Sequence, residues 1–349
     1  MNKVSKKLSV LLIMALLLAV LAGCGGGGGE TPEGEEPVAD PVTFSLSHFM
    51  SNQHPLHTNV LVPFADAVNE QTEGRVTINV YPSNELGPPP TTVDSVVSGA
   101  FEMGFVLAAY TPGRFPLTSI LEFPFMFETA LQGNLVAADM RDDLQKYEYS
   151  DMKLLWVGGT DIAKIFINKE VSDVAGLAGL KLRSPGLLYN ELYAKLGATE
   201  LSLPVSDLYD ALDRGIVDGS LMSPSALVSF KLSEVTDNII DLDVYMNPLI
   251  FVMNNDAWAK VSADDQQVME DLLAEFPAVI GAQYDAEFEH GVAFGKEQGI
   301  NFITFSAEEE AKFHAITDPL KEKWIADMDA KGLAGTEMYE KALQYIEAH

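Results

Sequence analysis

The sequence predicts an α/β fold of two lobes. Each lobe is a mostly parallel sheet covered by helices, with a hinge between the lobes and long helices at the C-terminal end. Three observations carry this expectation. Strand-length apolar runs alternate with helix-period segments from residue 42 to residue 108. The alternation restarts after one long helical segment, and from Ala263 onward the pattern is largely helical. Strand–helix–strand units imply parallel pairing, because the crossover helix returns the chain to the same end of the sheet. The 349 residues suffice for about two ordinary domains.

In chain order, Val42, Phe44 and Leu46 alternate with polar residues and give a strand that ends at His48. Val60–Val68 has helical spacing, and Gly74 closes that helix. Val76, Ile78 and Val80 alternate again; Thr91–Ser98 is a short helix stopped by Gly99. Phe101–Ala108 is a nearly unbroken apolar run, the pattern of a strand buried on both faces. A helix over Ala130–Gln145 precedes strands at Lys153–Val157, Lys164–Asn168 and Leu180–Arg183. A helix at Leu187–Leu196 and a strand near Glu200–Leu203 follow. Ser206 is placed to cap a helix over Leu208–Arg214, which Gly215 stops. Ile216–Met222 and Pro248–Asn254 are further strands. Helices are expected at Ala263–Glu275, Ala278–Gln298 and Glu308–Lys331, with a short strand near Asn301–Phe305.

The N-terminus reads as an export signal. Lys3, Lys6 and Lys7 precede a largely apolar run from Leu8 to Ala22, too short to span a bilayer comfortably. It ends Leu21-Ala22-Gly23-Cys24, which resembles the lipobox of bacterial lipoproteins. That resemblance implies cleavage after residue 23 and lipidation of Cys24, leaving 326 residues. Residues 24–41 hold a glycine run and an acidic, proline-containing stretch with Val38 as their largest apolar residue, so they read as a flexible tether. The folded part divides into residues 42–158 with about 247–285 as one lobe, and 159–246 with about 286–349 as the other.

Charge and composition exclude several functions. The net charge is −29, from 22 basic and 51 acidic residues, and such a surface repels a phosphate backbone. Cleavage at the lipobox removes three lysines and takes the charge to −32. With Cys24 as the single cysteine, no disulfide framework or cysteine-based zinc site forms within one chain. No Walker loop, Gly-x-Ser-x-Gly elbow, His-Glu-x-x-His or Gly-x-Gly-x-x-Gly occurs, so catalysis has no positive support. His54 and His57 stand three apart near a helix start, a weak metal signal better read as solvated or helix-capping histidines.

Ligands of open α/β sheets sit beyond the carboxyl ends of the strands. His48 and Phe49, Tyr110, and Asp161 occupy such positions. Arg183 ends another strand, and Ser184 and Pro185 lead into the next helix. A guanidinium, a hydroxyl and the free N–H groups of a helix start make a carboxylate site. The alternative for Arg183 is a surface arginine whose stem covers apolar neighbours. Met222 and Ser223 end a second such strand, where an ordinary strand–helix loop is the competing reading. Arg114 is expected to brace its loop against a carbonyl. The Glu122–Phe127 stretch is expected in the core or between lobes.

Several stretches together resemble one family. They are FADAVNEQTEGRVTINVYPSNELG, TPGRFPL, EFPFMF, GLAGLKLRSPG, LGATELSLPVSDLYDALDRGIVDG and FVMNNDAW, within about Val42–Ala274. The chain resembles the solute receptors of tripartite ATP-independent periplasmic (TRAP) transporters, of the DctP type. That resemblance implies a two-lobed periplasmic-binding-protein-like fold, with a long helix running along both lobes. It also implies an extracytoplasmic receptor that hands small organic acids to a separate membrane permease. Lys181-Leu182-Arg183-Ser184-Pro185 matches the family's Lys-hydrophobic-Arg-x-Pro context, so Arg183 inherits a bidentate salt bridge to the ligand carboxylate. No cofactor or metal is implied.

Two departures from the sialic-acid branch narrow the ligand. Gly158–Ala163 lacks the second arginine that those receptors carry, and Ser220–Pro224 lacks their Asn-Pro after the Asp-Gly pair. Leu107 and Tyr110 also stand where that branch carries charge. These changes argue against a polyhydroxylated sugar acid and for a monocarboxylate with an apolar or aromatic body. The other readings are an exported enzyme on the same fold, a binding protein for an ATP-driven importer or a sensor kinase, and an envelope lipoprotein without a small ligand.

Overall fold

The computed structural model describes residues 40–349. The expected leader, Cys24 and all but the last two residues of the expected tether lie outside the described residues. The strands, in chain order, are β1 (Val42–His48), β2 (Val76–Tyr81), β3 (Met103–Leu107), β4 (Met152–Gly159), β5 (Ala163–Ile167), β6 (Lys181–Ser184), β7 (Thr199–Ser202), β8 (Gly219–Met222), β9 (Asn238–Tyr245), β10 (Pro248–Asn254) and β11 (Asn301–Ile303). The helices used below are α1 (Val62–Gln71), α2 (Thr92–Ser98), α3 (Ala130–Glu148), α4 (Leu187–Lys195), α5 (Leu208–Asp213), α6 (Ala263–Ala274), α7 (Phe276–Glu297), α8 (Ala307–Ala330) and α9 (Gly335–Ala348).

The strands form two sheets, in the orders β2-β1-β3-β10-β4 and β11-β9-β5-β8-β6-β7. β1 runs parallel to β2 and β3, as strand–helix–strand units require. β10 runs antiparallel between β3 and β4, opposing Leu249 to Leu107 and to Gly158. In the second sheet β6 is parallel to β7 and β8, whereas β5 is antiparallel to β8 and β9. Both sheets are therefore mixed rather than mostly parallel. The cause is topological: the chain leaves the first sheet through β4, enters the second through β5, and returns through β9 and β10. β10 runs against both of its neighbours, and β9 runs against β5 but parallel to β11.

Burial follows the strand patterns. All five residues of β3 and the first six of β10 are buried, which accounts for their continuous apolar runs. In β5 Ile165 and Ile167 enter one apolar cluster and Phe166 the other, the two faces of one strand. Buried Lys164 on β5 is held by Asp241 and Asp243 of β9 at 2.6 and 2.7 Å. β9 was not expected, although its buried Ile240, Leu242 and Val244 alternate with the more exposed Asp241 and Asp243.

Two short segments cross between the sheets, residues 160–162 and residues 246–247. They are tied by Thr160 N–H donating to Asn247 O at 3.1 Å and Asn247 N–H to Thr160 Oγ1 at 3.3 Å. Helix α7 touches elements of both sheets. A Cβ at Gly281 would lie 2.6 Å from Leu131 Cα at the start of α3, and one at Gly291 would lie 2.2 Å from the Pro224 carbonyl oxygen beyond β8. Glycine at these two positions lets the helix lie directly against backbone.

Smaller differences have local causes. α5 is preceded by a short 3-10 turn at Val205–Asp207, and no side chain caps it; the Ser206 hydroxyl donates to Asp207 Oδ1 instead. β8 begins at Gly219 rather than Ile216, which is exposed. The C-terminal helical stretch is broken by Gly332, at φ +74°, into α8 and α9.

Candidate functional site

Arg183 stands on β6 with only 1% of its surface exposed. Its Nε donates to Leu203 O at 2.8 Å and its Nη2 to the Tyr110 hydroxyl at 3.4 Å. Its own carbonyl accepts from the Tyr193 hydroxyl at 3.0 Å and Ser220 Oγ at 3.3 Å, which fixes the strand end. Tyr110 follows β3 of the first sheet, and its hydroxyl accepts from Val205 N–H at 2.9 Å. One phenol thus links the arginine of the second sheet to the first. Its burial raises the Tyr110 pKa, so it stays neutral. The guanidinium, with five N–H donors, meets a carbonyl and a phenol here rather than a carboxylate.

Arg183 lines a small cavity, about 30 Å³, whose other walls are mainly apolar. Phe49, Met50 and Leu107 come from the first sheet's side, and Val205, Met222 and Phe230 from the second. Phe49 packs edge-on against Tyr110, ring centres 5.7 Å apart. Thr160 and Asn247, from the two crossing segments, add polar groups, and so do Ser223 and Ser225. Ser223 Oγ lies 3.1 Å from Thr160 Oγ1, and Tyr189 donates to Asn247 Oδ1 at 2.5 Å.

Arg183, Phe49, Met222 and Ser223 therefore meet on one wall system, with Tyr110 directly behind the arginine. Asp161, His48 and Ser184 do not line it. Asp161 is fully buried behind the wall, where it accepts from Ser225 N–H at 2.9 Å and Ser225 Oγ at 2.7 Å. Burial pushes its carboxyl up to about 7. Ser184 Oγ donates to Gly186 O at 2.8 Å and accepts from Gly186 N–H at 3.2 Å, shaping the turn before α4. His48 Nε2 lies 2.9 Å from His57 Nδ1, and burial pushes His48 down to about 3.

His54, Thr160, Ser225, Phe230, Asn247 and Tyr284 also line the cavity, although none was expected there. His54 is buried rather than solvated, and it caps the helix start, the other expectation for it. Its Nδ1 accepts from Leu56 N–H at 3.2 Å, its ring sits 5.8 Å from Phe230, and burial lowers it to about 4. It is thus a neutral wall group at pH 7. The available signal for Thr160 and Asn247 was their position at the ends of β4 and before β10. Arg114 pairs with the Asp151 carboxylate rather than a carbonyl. Phe123 and Phe127 are core residues, as expected for their stretch. Among the described residues no group of three or more His, Cys, Asp or Glu is gathered for a metal ion.

A family model described as "Bacterial extracellular solute-binding protein, family 7" matches residues 46–327. The C4-dicarboxylate-binding periplasmic protein DctP of Rhodobacter capsulatus is 25% identical over 306 residues, covering 85% of this chain and 90% of its own. A marine-metagenome TRAP solute binding protein from an unidentified microbe, specific for aromatic acid ligands and crystallised with metahydroxyphenylacetate, is 26% identical. It superposes with a TM-score of 0.82 over 88% of this chain and 99% of its own. A TRAP periplasmic solute binding protein of Bordetella bronchiseptica with bound (R)- and (S)-mandelate is 25% identical, with a TM-score of 0.82 over the same shares.

Proposed function

This chain belongs to the bacterial extracellular solute-binding proteins of family 7, and on that premise we propose that its solute is a monocarboxylate with an apolar or aromatic body. As a receptor of the TRAP type, it binds the acid outside the cytoplasm and delivers it to integral membrane permease subunits. The observation that carries the ligand class is Arg183. It is a buried cation whose protein partners are neutral, at the wall of a mainly apolar cavity. A buried charge without a counter-charge is costly, and a ligand carboxylate supplies one in the fork geometry of guanidinium. Among the described residues Arg183 is also the one lysine or arginine lining that cavity, which favours one carboxylate over two. The aromatic-acid and mandelate complexes of similar proteins support the same body chemistry.

In this reading Tyr110 and Leu203 orient the arginine, Phe49 and Met222 cover the ligand's apolar body, and Ser223, with Thr160, meets its polar substituent. Asp161, Ser184 and His48 act behind the wall. The lobes are residues 42–158 with about 247–285, and residues 159–246 with about 286–349. Strand membership supports this division, since β4 and β10 belong to one sheet and β5 to β9 to the other.

Calorimetry with benzoate, mandelate and succinate tests the ligand class. The aromatic acids should bind and succinate should bind more weakly. Arg183→Ala should lower affinity about thirty-fold to several thousand-fold, because the ligand charge is left buried and unpaired. Arg183→Lys should recover only part, since an ammonium lacks the bidentate fork. Full affinity in folded Arg183→Ala would refute the assignment.

The reading also includes a lipid anchor at Cys24, supported by the lipobox-like sequence alone. Cys24→Ala should move the protein from the membrane to the soluble fraction, or leave it unprocessed, because acyl chains supply stable attachment. Lipid labelling that persists in the variant would exclude it.

A further inference from the structure

We propose a second small-molecule site, for an organic monoamine with an apolar body, in the groove between the 108–122 segment and helices α4 and α8. The groove holds about 170 Å³ and shares no wall residue with the Arg183 cavity. Glu122, 4% exposed, lines it. Among the described residues its carboxyl has no hydrogen-bond or ion-pair partner, and burial is the sole influence on its acidity. An adjoining crevice, too narrow to admit water, shares Glu122, Leu188 and Leu320 with the groove and is also walled by Tyr245. The Tyr245 hydroxyl is buried without a partner as well. Native proteins pair nearly all such groups, so the unpaired Glu122 carboxyl on the groove wall points to a donor from outside the chain.

The chemistry of that donor follows from its surroundings. An ammonium offers three N–H bonds and the charge that a carboxylate in an apolar wall lacks. Phe115, Leu188 and Trp324 provide surface for an apolar body. Trp324 is held in place, its Nε1 donating to Pro116 O and Ser119 Oγ, both at 2.9 Å. At the rim Lys323 is neutralised by Glu191 at 3.1 Å and Asp327 at 2.7 Å. The chain's charge of −29 draws cations and repels anions over longer range.

Burial lifts the Glu122 carboxyl to about 8. The other titratable or charged groups around it are Tyr245 on β9, Tyr189 and Glu191 on α4, and Lys323, Asp327 and Lys331 on or beside α8. Below pH 8 an ammonium must displace the Glu122 proton, so amine affinity should rise about tenfold per pH unit as pH 8 is approached.

The test is calorimetric titration of the purified protein with 2-phenylethylamine at pH 6.5 and 7.5, beside its neutral isostere 2-phenylethanol. We expect saturable binding, about tenfold tighter at the higher pH, and at least tenfold weaker for the alcohol. Arg183→Ala should leave it unchanged. Glu122→Gln should weaken it at least tenfold and abolish the pH step. Leu187→Trp, at an exposed rim position that the fold tolerates, should also weaken it and keeps the test decisive if Glu122→Gln does not fold. Absence of saturable binding, equal affinity for the alcohol, no pH step in the wild type, or loss of binding in Arg183→Ala would each overturn the proposal.

Discussion

Arg183 and Asp161 meet burial in opposite ways. Arginine keeps its proton at any accessible pH, so Arg183 remains a cation and needs an anion. Asp161 escapes the same cost by holding a proton: burial lifts its carboxyl from an ordinary 3.8 to about 7, against the opposing hydrogen bonds from Ser225. A carboxyl raised in the folded state keeps a proton that the unfolded chain has already lost. Its contribution therefore declines as pH rises from about 4 to about 7. With about 1.4 kcal/mol per pH unit, the loss across that window is roughly 2–4 kcal/mol for a fully buried group. Glu122 and Glu287 are also raised by burial and act in the same direction. Asn mimics the protonated acid in shape and bonding, accepting from Ser225 N–H and donating to its hydroxyl. Asp161→Asn should come close to the wild type in thermal stability at pH 4 and exceed it at pH 8. A variant that is less stable at both values would show that the ionised carboxylate serves the fold.

At the scale of elements, periodicity was legible wherever a side of the element meets core. β1, β2, β3 and β10 stood within a residue or two of their expected bounds because alternation or continuous apolarity marks them. β9 escaped although Ile240, Leu242 and Val244 alternate with Asp241 and Asp243; what its aspartates meet, Lys164, stands on a strand 77 residues away in sequence for one and 79 for the other. No local pattern encodes such a clamp. The antiparallel pairings escaped for a related reason: strand patterns record burial, whereas direction is set by where the chain crosses between sheets. The candidate site divides along the same line. Arg183, Met222 and Ser223 end strands and were legible, while Phe230 and Tyr284 reach the cavity from a helix end and from mid-α7. Their contribution depends on how α7 lies across Pro224, which Gly291 permits only in three dimensions.

At the scale of the whole molecule, acidity and anion binding appear opposed. A surface of charge −29 does not attract a carboxylate from a distance, so affinity must come from the desolvated contact at Arg183. That contact lies where walls from both sheets meet, and residues 160–162, residues 246–247 and the long helix α7 pass between those sheets nearby. Short crossings of this kind absorb a rotation with few changes in backbone angle. A ligand shifts an open–closed equilibrium only through different affinity for the two forms. A carboxylate on Arg183, with its body against Leu107 and Phe49, makes its full set of contacts only when both walls are present. Moving a population from 1:99 to 99:1 requires about 5.5 kcal/mol of such difference, and micromolar affinity corresponds to about 8 kcal/mol. The solution radius of gyration should therefore fall when a binding aromatic acid saturates the wild type. Arg183→Ala at the same ligand concentration should keep the unliganded value. Superimposable scattering curves with and without ligand, under calorimetrically demonstrated saturation, would show that binding proceeds without movement of the two sheets.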